Sequence, residues 1–305
     1  MRIIILLSLI VTMSLANQIS SDINLLRKHI TTLVKTDNPR NFENIEMLDS
    51  VARYIHSEFE SIGFDKVRDQ CYEAKGNKYK NVVASVGPQN TEVIVVGAHY
   101  DVFGYLPGAD DNASGIAGLL ECARIIYSNK INLKNKIEFV AYTLEEPPFY
   151  GSRFMGSYVH ATSLVDSAVQ VKLMICLEMI GYFSDEKNSQ DYPLCILKPF
   201  YGSRGDFIAC VSNFKSGKYA RKLNKVFKKQ TEMKSKVLIA PSFLSGIDFS
   251  DHRNYWGYKM NAIMITDGAF YRNKNYHTKY DMMDKLDFNK IVKVVNGTSM
   301  FILQM

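Results

Sequence analysis

Tryptophan occurs once in 305 residues and proline eight times, and no repeat, low-complexity tract or linker divides the chain. A collagenous, repetitive or disordered protein is thereby excluded, and one large folded domain is the default. The five cysteines, Cys71, Cys122, Cys176, Cys195 and Cys210, include no C-x-x-C pair, so a thiolate zinc site has no ligand frame. Cys122, Cys176 and Cys210 lie in apolar segments and read as small buried hydrophobes, while one disulfide stays open among the five. Nor does one sign of charge dominate, since the formal net charge is only +6. Much of the surplus lies between Lys215 and Lys236, where KYARKLNKVFKKQ has the spacing of an amphipathic helix with a solvated basic face. No nucleic-acid-binding motif accompanies it, so nucleic acid is not an expected partner.

Long apolar runs are also missing, except at the start. Met1-Arg2 precedes a mostly apolar run from Ile3 to Leu15, and Ser14-Leu15-Ala16 places small residues where a signal peptidase inspects the chain. This pattern predicts a secretory signal over residues 1–16, cut before Asn17. The alternative is a membrane anchor, but the run falls short of the ~20 residues that span a bilayer. The expected mature protein is therefore exported, has no stable membrane insertion, and forms a single domain over residues 17–305. With 47% hydrophobic residues it can bury a large core.

Helical spacing is present over Asp22–Val34 and again over Ile45–Ile62, where Leu48, Ala52, Ile55, Phe59 and Ile62 recur before Gly63. Strand-like runs then alternate with helices. Strands are expected at Asn81–Val86, Val93–Ala98, Lys136–Thr143, Val171–Leu177, Phe207–Val211 and Ala262–Thr266. Helices are expected at Ala113–Tyr127, Gly151–His160 and Phe288–Leu303. The alternation predicts an α/β fold with a mixed, largely parallel central sheet and helices on both faces. In such sheets ligand sites gather at the carboxyl ends of the strands.

Chemistry-bearing residues cluster at those ends. His99-Tyr-Asp101 follows one strand, GADDNASG (Gly108 to Gly115) opens a helix, and Glu145-Glu146 closes the next strand before two prolines. Glu178 ends another strand, and Tyr276-His277-Thr278 follows the last. Singly, His99 could be a satisfied core histidine, and Asp110 or Asp111 a helix cap. Together, imidazoles and carboxylates on one sheet edge are the ligand types that suit zinc. Alternation along an extended chain would point Glu145 and Glu146 in opposite directions and so give them different tasks. Asp101, two residues from His99, is placed to fix the histidine's tautomer.

The order and wording of HYD, GADDNASG, LEE, LEMIG and YHT resemble the dizinc aminopeptidase family, which includes secreted bacterial leucyl aminopeptidases and the catalytic domain of glutamate carboxypeptidase II. The resemblance covers the chain from about Val93 to Asp281. It implies a zinc-exopeptidase (phosphorylase/hydrolase-like) fold, two Zn²⁺ ions, and five ligands: His99 and Glu178 on one ion, Glu146 and His277 on the other, Asp111 bridging. It further implies Glu145 as general base, and for Tyr276 either a hydrogen bond to the tetrahedral oxyanion or simple packing. Glu178 stands where many relatives carry aspartate. Ser250-Asp251-His252 resembles a recurring segment near the substrate pocket without an assigned role, and His29, His56 and His160 read as surface or packing residues. Asn112 and Asn296 head glycosylation acceptor patterns, the first discounted because it lies in the metal loop.

The expectation is a metallo-aminopeptidase acting on peptide substrates through a metal-activated water. Two rivals share the fold: a one-zinc glutaminyl-peptide cyclotransferase, in which the substrate's own amine attacks, and a binding protein that has lost its chemistry. The full ligand set and Glu145 favour hydrolysis.

Overall fold

The computed structural model describes residues 19–89 and 92–305; the expected leader at residues 1–16 lies outside them. Two helices lead, α1 (Ile23–Val34) and α2 (Ile45–Ile62). The strands β1 (Val67–Ala74), β2 (Asn77–Val86) and β3 (Val93–His99) follow, then α3 (Gly115–Ser128), β4 (Lys136–Tyr142) and α4 (Gly156–Asp166). Besides a single helical turn at Lys198–Tyr201, the longer elements that follow are β5 (Val171–Leu177), β6 (Ile208–Ser212), α5 (Gly217–Gln230), β7 (Ser235–Ile239), α6 (His252–Gly257), β8 (Ala262–Thr266) and α7 (Phe288–Leu303). All these strands join one sheet in the order β1-β2-β4-β3-β5-β8-β6-β7. Its centre, β4-β3-β5-β8, is parallel throughout. The carboxyl ends of these four strands therefore share one edge.

Side-chain alternation sorts the core into two layers. Ile94, Val96, Leu173, Ile175, Ile263 and Ile265 face the layer that also holds residues of α1, α2, α3, α5 and α7. Val95, Met174, Cys176 and Met264 face the opposite layer, which takes in Ala161 and Leu164 of α4 and Tyr255 of α6. Both faces of the centre are covered, which is why these strands read as continuous apolar runs.

The sequence expectations hold for most elements, with four corrections, one of them the short helix α6, which has no counterpart among them. β1 was not anticipated, because VRDQCYEA is a largely solvated edge strand; it pairs with β2 through a turn at Lys75 and Gly76, both at positive φ as a tight hairpin requires. β7 was hidden in the lysine-rich stretch. The helix expected from Gly151 starts only at Gly156, because residues 151–155 are taken up by turns. Cys71, Cys122, Cys176 and Cys210 are free thiols, the last three buried as anticipated. Among the described residues no helix is long and apolar enough to cross a membrane.

Candidate metal centre

Every candidate site residue named from the sequence comes to the carboxyl edge of the central strands. His99 ends β3, Glu178 directly follows β5, and Glu145 and Glu146 lie just beyond β4. Asp111 arrives on the turn that opens α3. Two glycines shape that turn: Gly108 has φ +58, and a Cβ on Gly115 would lie 2.6 Å from the Leu177 carbonyl oxygen. Arg40, almost wholly buried, ties the loop to the α1 side by donating to the carbonyls of Leu33, Pro107 and Gly108 at 2.8, 2.7 and 2.6 Å. Asp281 accepts from the Asp110 and Asp111 amides at 3.0 and 3.1 Å, fixing the acidic pair from the other side.

Asp111 stands between two histidines. One carboxylate oxygen is 3.4 Å from His99 Nε2, and the other is 3.1 Å from His277 Nε2. Glu178 completes the first group, with Oε2 3.4 Å from His99 Nε2, and Glu146 the second, with Oε2 3.3 Å from His277 Nε2. In each group, potential ligand atoms of all three residues lie within 4.8 Å of one another. His99 Nε2, His277 Nε2 and Glu146 Oε1 are buried without a hydrogen-bond partner in the protein. Buried polar atoms without partners are costly, and here they converge with carboxylates, which is the donor set of a divalent metal.

The electrostatics agree. Burial holds the Glu145 carboxyl far above the usual range, with Glu146 and Glu178 adding to the shift and His99 opposing it. Burial, then Asp111, lifts Glu146 to about 8, against the opposing pull of His277 and His99. For His277 burial acts downward, but Asp111 and Glu146 prevail and raise it to about 9. Carboxylates crowded this closely call for positive charge between them.

Hydrogen bonds around the groups orient them. His99 Nδ1 donates to the Asp101 carbonyl oxygen at 3.1 Å, leaving the Nε2 lone pair directed at Asp111 and Glu178. The Asp101 carboxylate is 3.5 Å from that ring nitrogen and instead accepts from the Glu145 and Glu146 amides at 3.2 and 3.1 Å. The expected tautomer contact therefore comes mainly from the Asp101 backbone rather than from its carboxylate. Ser250 donates to Glu178 at 2.6 Å, and Asn112 donates to the Leu177 carbonyl at 2.9 Å. His277 is sandwiched between Phe103, with ring centroids 4.2 Å apart, and Tyr276, at 3.8 Å.

Alternation along an extended chain does not explain how Glu145 and Glu146 differ. β4 stops at Tyr142, Leu144 has φ +60, and both carboxylates turn toward the same centre. Their surroundings separate them: Glu146 meets His277 at 3.3 Å, whereas Glu145 keeps 4.0 Å from His99. Met179 and His277 also have positive φ, so three strained non-glycine residues lie in or beside the centre. His252 is not among the grouped residues; it donates from Nε2 to the Ile247 carbonyl at 2.8 Å and packs edge-on to Trp256. His29 and His160 are buried packing residues bonded to Tyr54 and Tyr255, both at 2.7 Å.

Phe103, Arg40 and Asp281 escaped the sequence reading, and Ser250 entered it only within a segment that had no assigned role. Only Asp281 carried a signal, being an acid four residues after His277. Beside Glu178 and Tyr276 an open pocket runs toward β7, with Phe207, Phe249, Phe270 and Met264 among its walls.

Paired His-carboxylate groups at the carboxyl edge of an α/β sheet are the arrangement of a metal-dependent hydrolase. Residues 81–302 match Peptidase family M28, and the chain belongs to that family, whose members are metal-dependent. It is 44% identical to YfbL of Escherichia coli, described as uncharacterized, over 280 residues that cover 89% of this chain and 85% of that protein. With a probable leucine aminopeptidase of Arthroderma otae it shares 28% identity over 290 residues, 89% of this chain and 70% of the relative. The crystal structure of Legionella pneumophila LapA aminopeptidase superposes with a TM-score of 0.73 at 21% identity, covering 93% of this chain and 71% of LapA. A glutaminyl cyclase of Porphyromonas gingivalis has the same fold, with a TM-score of 0.69 at 18% identity and coverage of 92% and 97%.

Proposed function

We propose that the protein is an exported dizinc aminopeptidase, its leader at residues 1–16 and a single catalytic domain over residues 17–305. The observation that supports this most is Asp111, whose two oxygens face His99 and His277 separately at 3.4 and 3.1 Å. His99 and Glu178 would hold one ion, His277 and Glu146 the other, and Asp111 both. Bound there, the pair would polarise the scissile carbonyl and bring the pKa of a water near neutrality.

The chain's own groups do the rest. Glu145, buried and outside both three-residue groups that contain Asp111, takes the proton of the attacking water on its carboxylate and returns it to the leaving amine nitrogen as the C–N bond breaks. Asp101 is a positioning residue, holding the Glu145 and Glu146 amides with its carboxylate. Tyr276 stacks on His277 and also lines the pocket; its hydroxyl would donate to the oxyanion. Apolar and aromatic walls beside Glu178 suit the side chain of the amino-terminal residue, and peptides are the expected partners.

The test is zinc analysis of purified protein with a panel of aminoacyl p-nitroanilides and a glutaminyl-peptide cyclisation assay. Close to two zinc ions per chain and hydrolysis lost on chelation are expected. One zinc, with cyclisation and no hydrolysis, would replace this reading with the cyclotransferase.

A further inference from the structure

We propose that Lys236 makes the pocket beside Glu178 selective for a peptide whose amino-terminal residue has an acidic side chain, glutamate above all; this rests on the aminopeptidase reading. The floor of the pocket is the sheet itself. Thr266, Ala209 and Lys236 sit side by side on β8, β6 and β7, and Met264, Val211 and Leu238 form the next row. This face is covered by α4 and α6 further along but stays open here as the pocket. With adjacent strands ~4.8 Å apart, the Lys236 backbone lies roughly 14 Å, three spacings, from the line of β5, which Glu178 follows. Lys236 is one of the residues that line the pocket. Its ammonium lies 4.3 Å from the Phe207 ring centroid and 6.0 Å from that of Tyr201, both pocket walls.

Several other polar groups in and around the pocket are already engaged. The Tyr192 and Tyr201 hydroxyls donate to the carbonyls of Gly202 and Val237 at 3.0 and 2.7 Å. Gln190 accepts from Arg272 at 2.7 Å and donates to the Asp191 carbonyl at 2.8 Å. Asp206, the nearby acid, pairs with Lys234 at 2.5 Å, and Asp191 with Lys274 at 2.8 Å. Among the described residues no carboxylate lies within 4.0 Å of the Lys236 ammonium. Burial lowers its pKa, and Arg272, Lys228 and Lys234 add to this against Asp206.

The pocket thus runs from a carboxylate, Glu178, through aromatic walls to an unpaired cation. A glutamate side chain matches that sequence: its methylenes lie against the aromatic rings and its carboxylate meets the ammonium. Leucine would shield the same ammonium from water and offer it no partner, which is discrimination by an unpaired charge.

The experiment compares zinc-loaded wild type with Lys236→Met, which keeps a stem of similar length, on p-nitroanilides of glutamate, glutamine, leucine and norleucine. Wild type should favour glutamate over leucine in kcat/KM by about 10-fold or more. Lys236→Met should abolish that preference, mainly through KM, with leucine turnover retained as proof of folding. Lys236→Arg should keep part of it. A wild-type preference for leucine, or a glutamate-to-leucine ratio unmoved by Lys236→Met, would overturn the proposal. Calorimetric titration with free L-glutamate and L-norleucine is a second readout. If no anilide is cleaved, the aminopeptidase reading fails, and the titration alone decides: glutamate binding weakened at least 10-fold by Lys236→Met supports the role of Lys236, and equal binding refutes it.

Discussion

Glu145 and Glu146 are chain neighbours with almost equal burial, at 6% and 4% exposure, so burial cannot distinguish their roles. Geometry does, because only Glu146 lies close to both His277 and Asp111. On the proposed mechanism Glu145→Gln keeps shape and loses the proton acceptor, so kcat should fall by ~10²–10⁴ while zinc content stays intact. Glu146→Gln should lose zinc, and added zinc should partly restore its activity. Zinc content and kcat measured together on both variants check this; the opposite pattern exchanges the two roles. A second prediction at this scale concerns Phe103, which covers one face of the His277 ring yet is itself 37% exposed. Phe103→Ala should leave the fold intact and lower zinc affinity about 10-fold, as lost support of a ligand does. The chelator concentration that removes half the metal reads this directly. The ligand-type residues could be recognised in the sequence because several of them follow successive strands in the order of a known family. Phe103 could not, since a phenylalanine carries no mark of what it stacks on until the chain has folded.

Among the elements, the turn into α3 does most to hold the centre together. It brings Asp111 between the histidines and packs the helix start against the end of β5, with Asn112 bonded to the Leu177 carbonyl at 2.9 Å and the Gly115 amide at 3.0 Å from Asn112 Oδ1. Gly115→Ala would place a Cβ against Asn112 and 2.6 Å from the Leu177 backbone oxygen, so the helix start must move off β5. Overpacking of this kind costs ~1–3 kcal/mol, and the shift carries Asp111 with it. A lower urea midpoint with reduced zinc affinity is expected; a change in neither would show that the turn tolerates the extra carbon. Elements with a buried stripe or an apolar run were legible in advance: β5, β8 and α7 have the expected bounds to the residue. β1 and β7 were not. Each is an edge strand at one end of the sheet, and pairing on one side only leaves a weaker pattern than burial on two faces.

For the whole molecule, stability in acid should depend on two buried groups that are not among the grouped carboxylates. Burial lowers the His252 pKa to about 4 from its ordinary 6.5, so the unfolded chain takes up the proton first as pH falls. The stabilisation is complete above pH 6.5 and is lost progressively down to about 4. Glu138 responds at lower pH. Burial alone would raise its carboxyl, but His160 and Lys136 outweigh burial and hold it at about 2, below its ordinary 4.5. Its contribution is present above pH 4.5 and disappears on the way to about 2. Each shift corresponds to roughly 3 kcal/mol at most, at 1.36 kcal/mol per pKa unit. Protonation of the metal-centre groups would obscure this in the wild type alone, but it is common to wild type and variants and cancels in their difference. The gap in urea midpoint between wild type and His252→Gln should therefore narrow from pH 6.5 to 4, and that between wild type and Glu138→Gln only below 4.5. Gaps that stay constant across both ranges would mean that neither group titrates with unfolding, and that acid sensitivity resides in the metal centre alone.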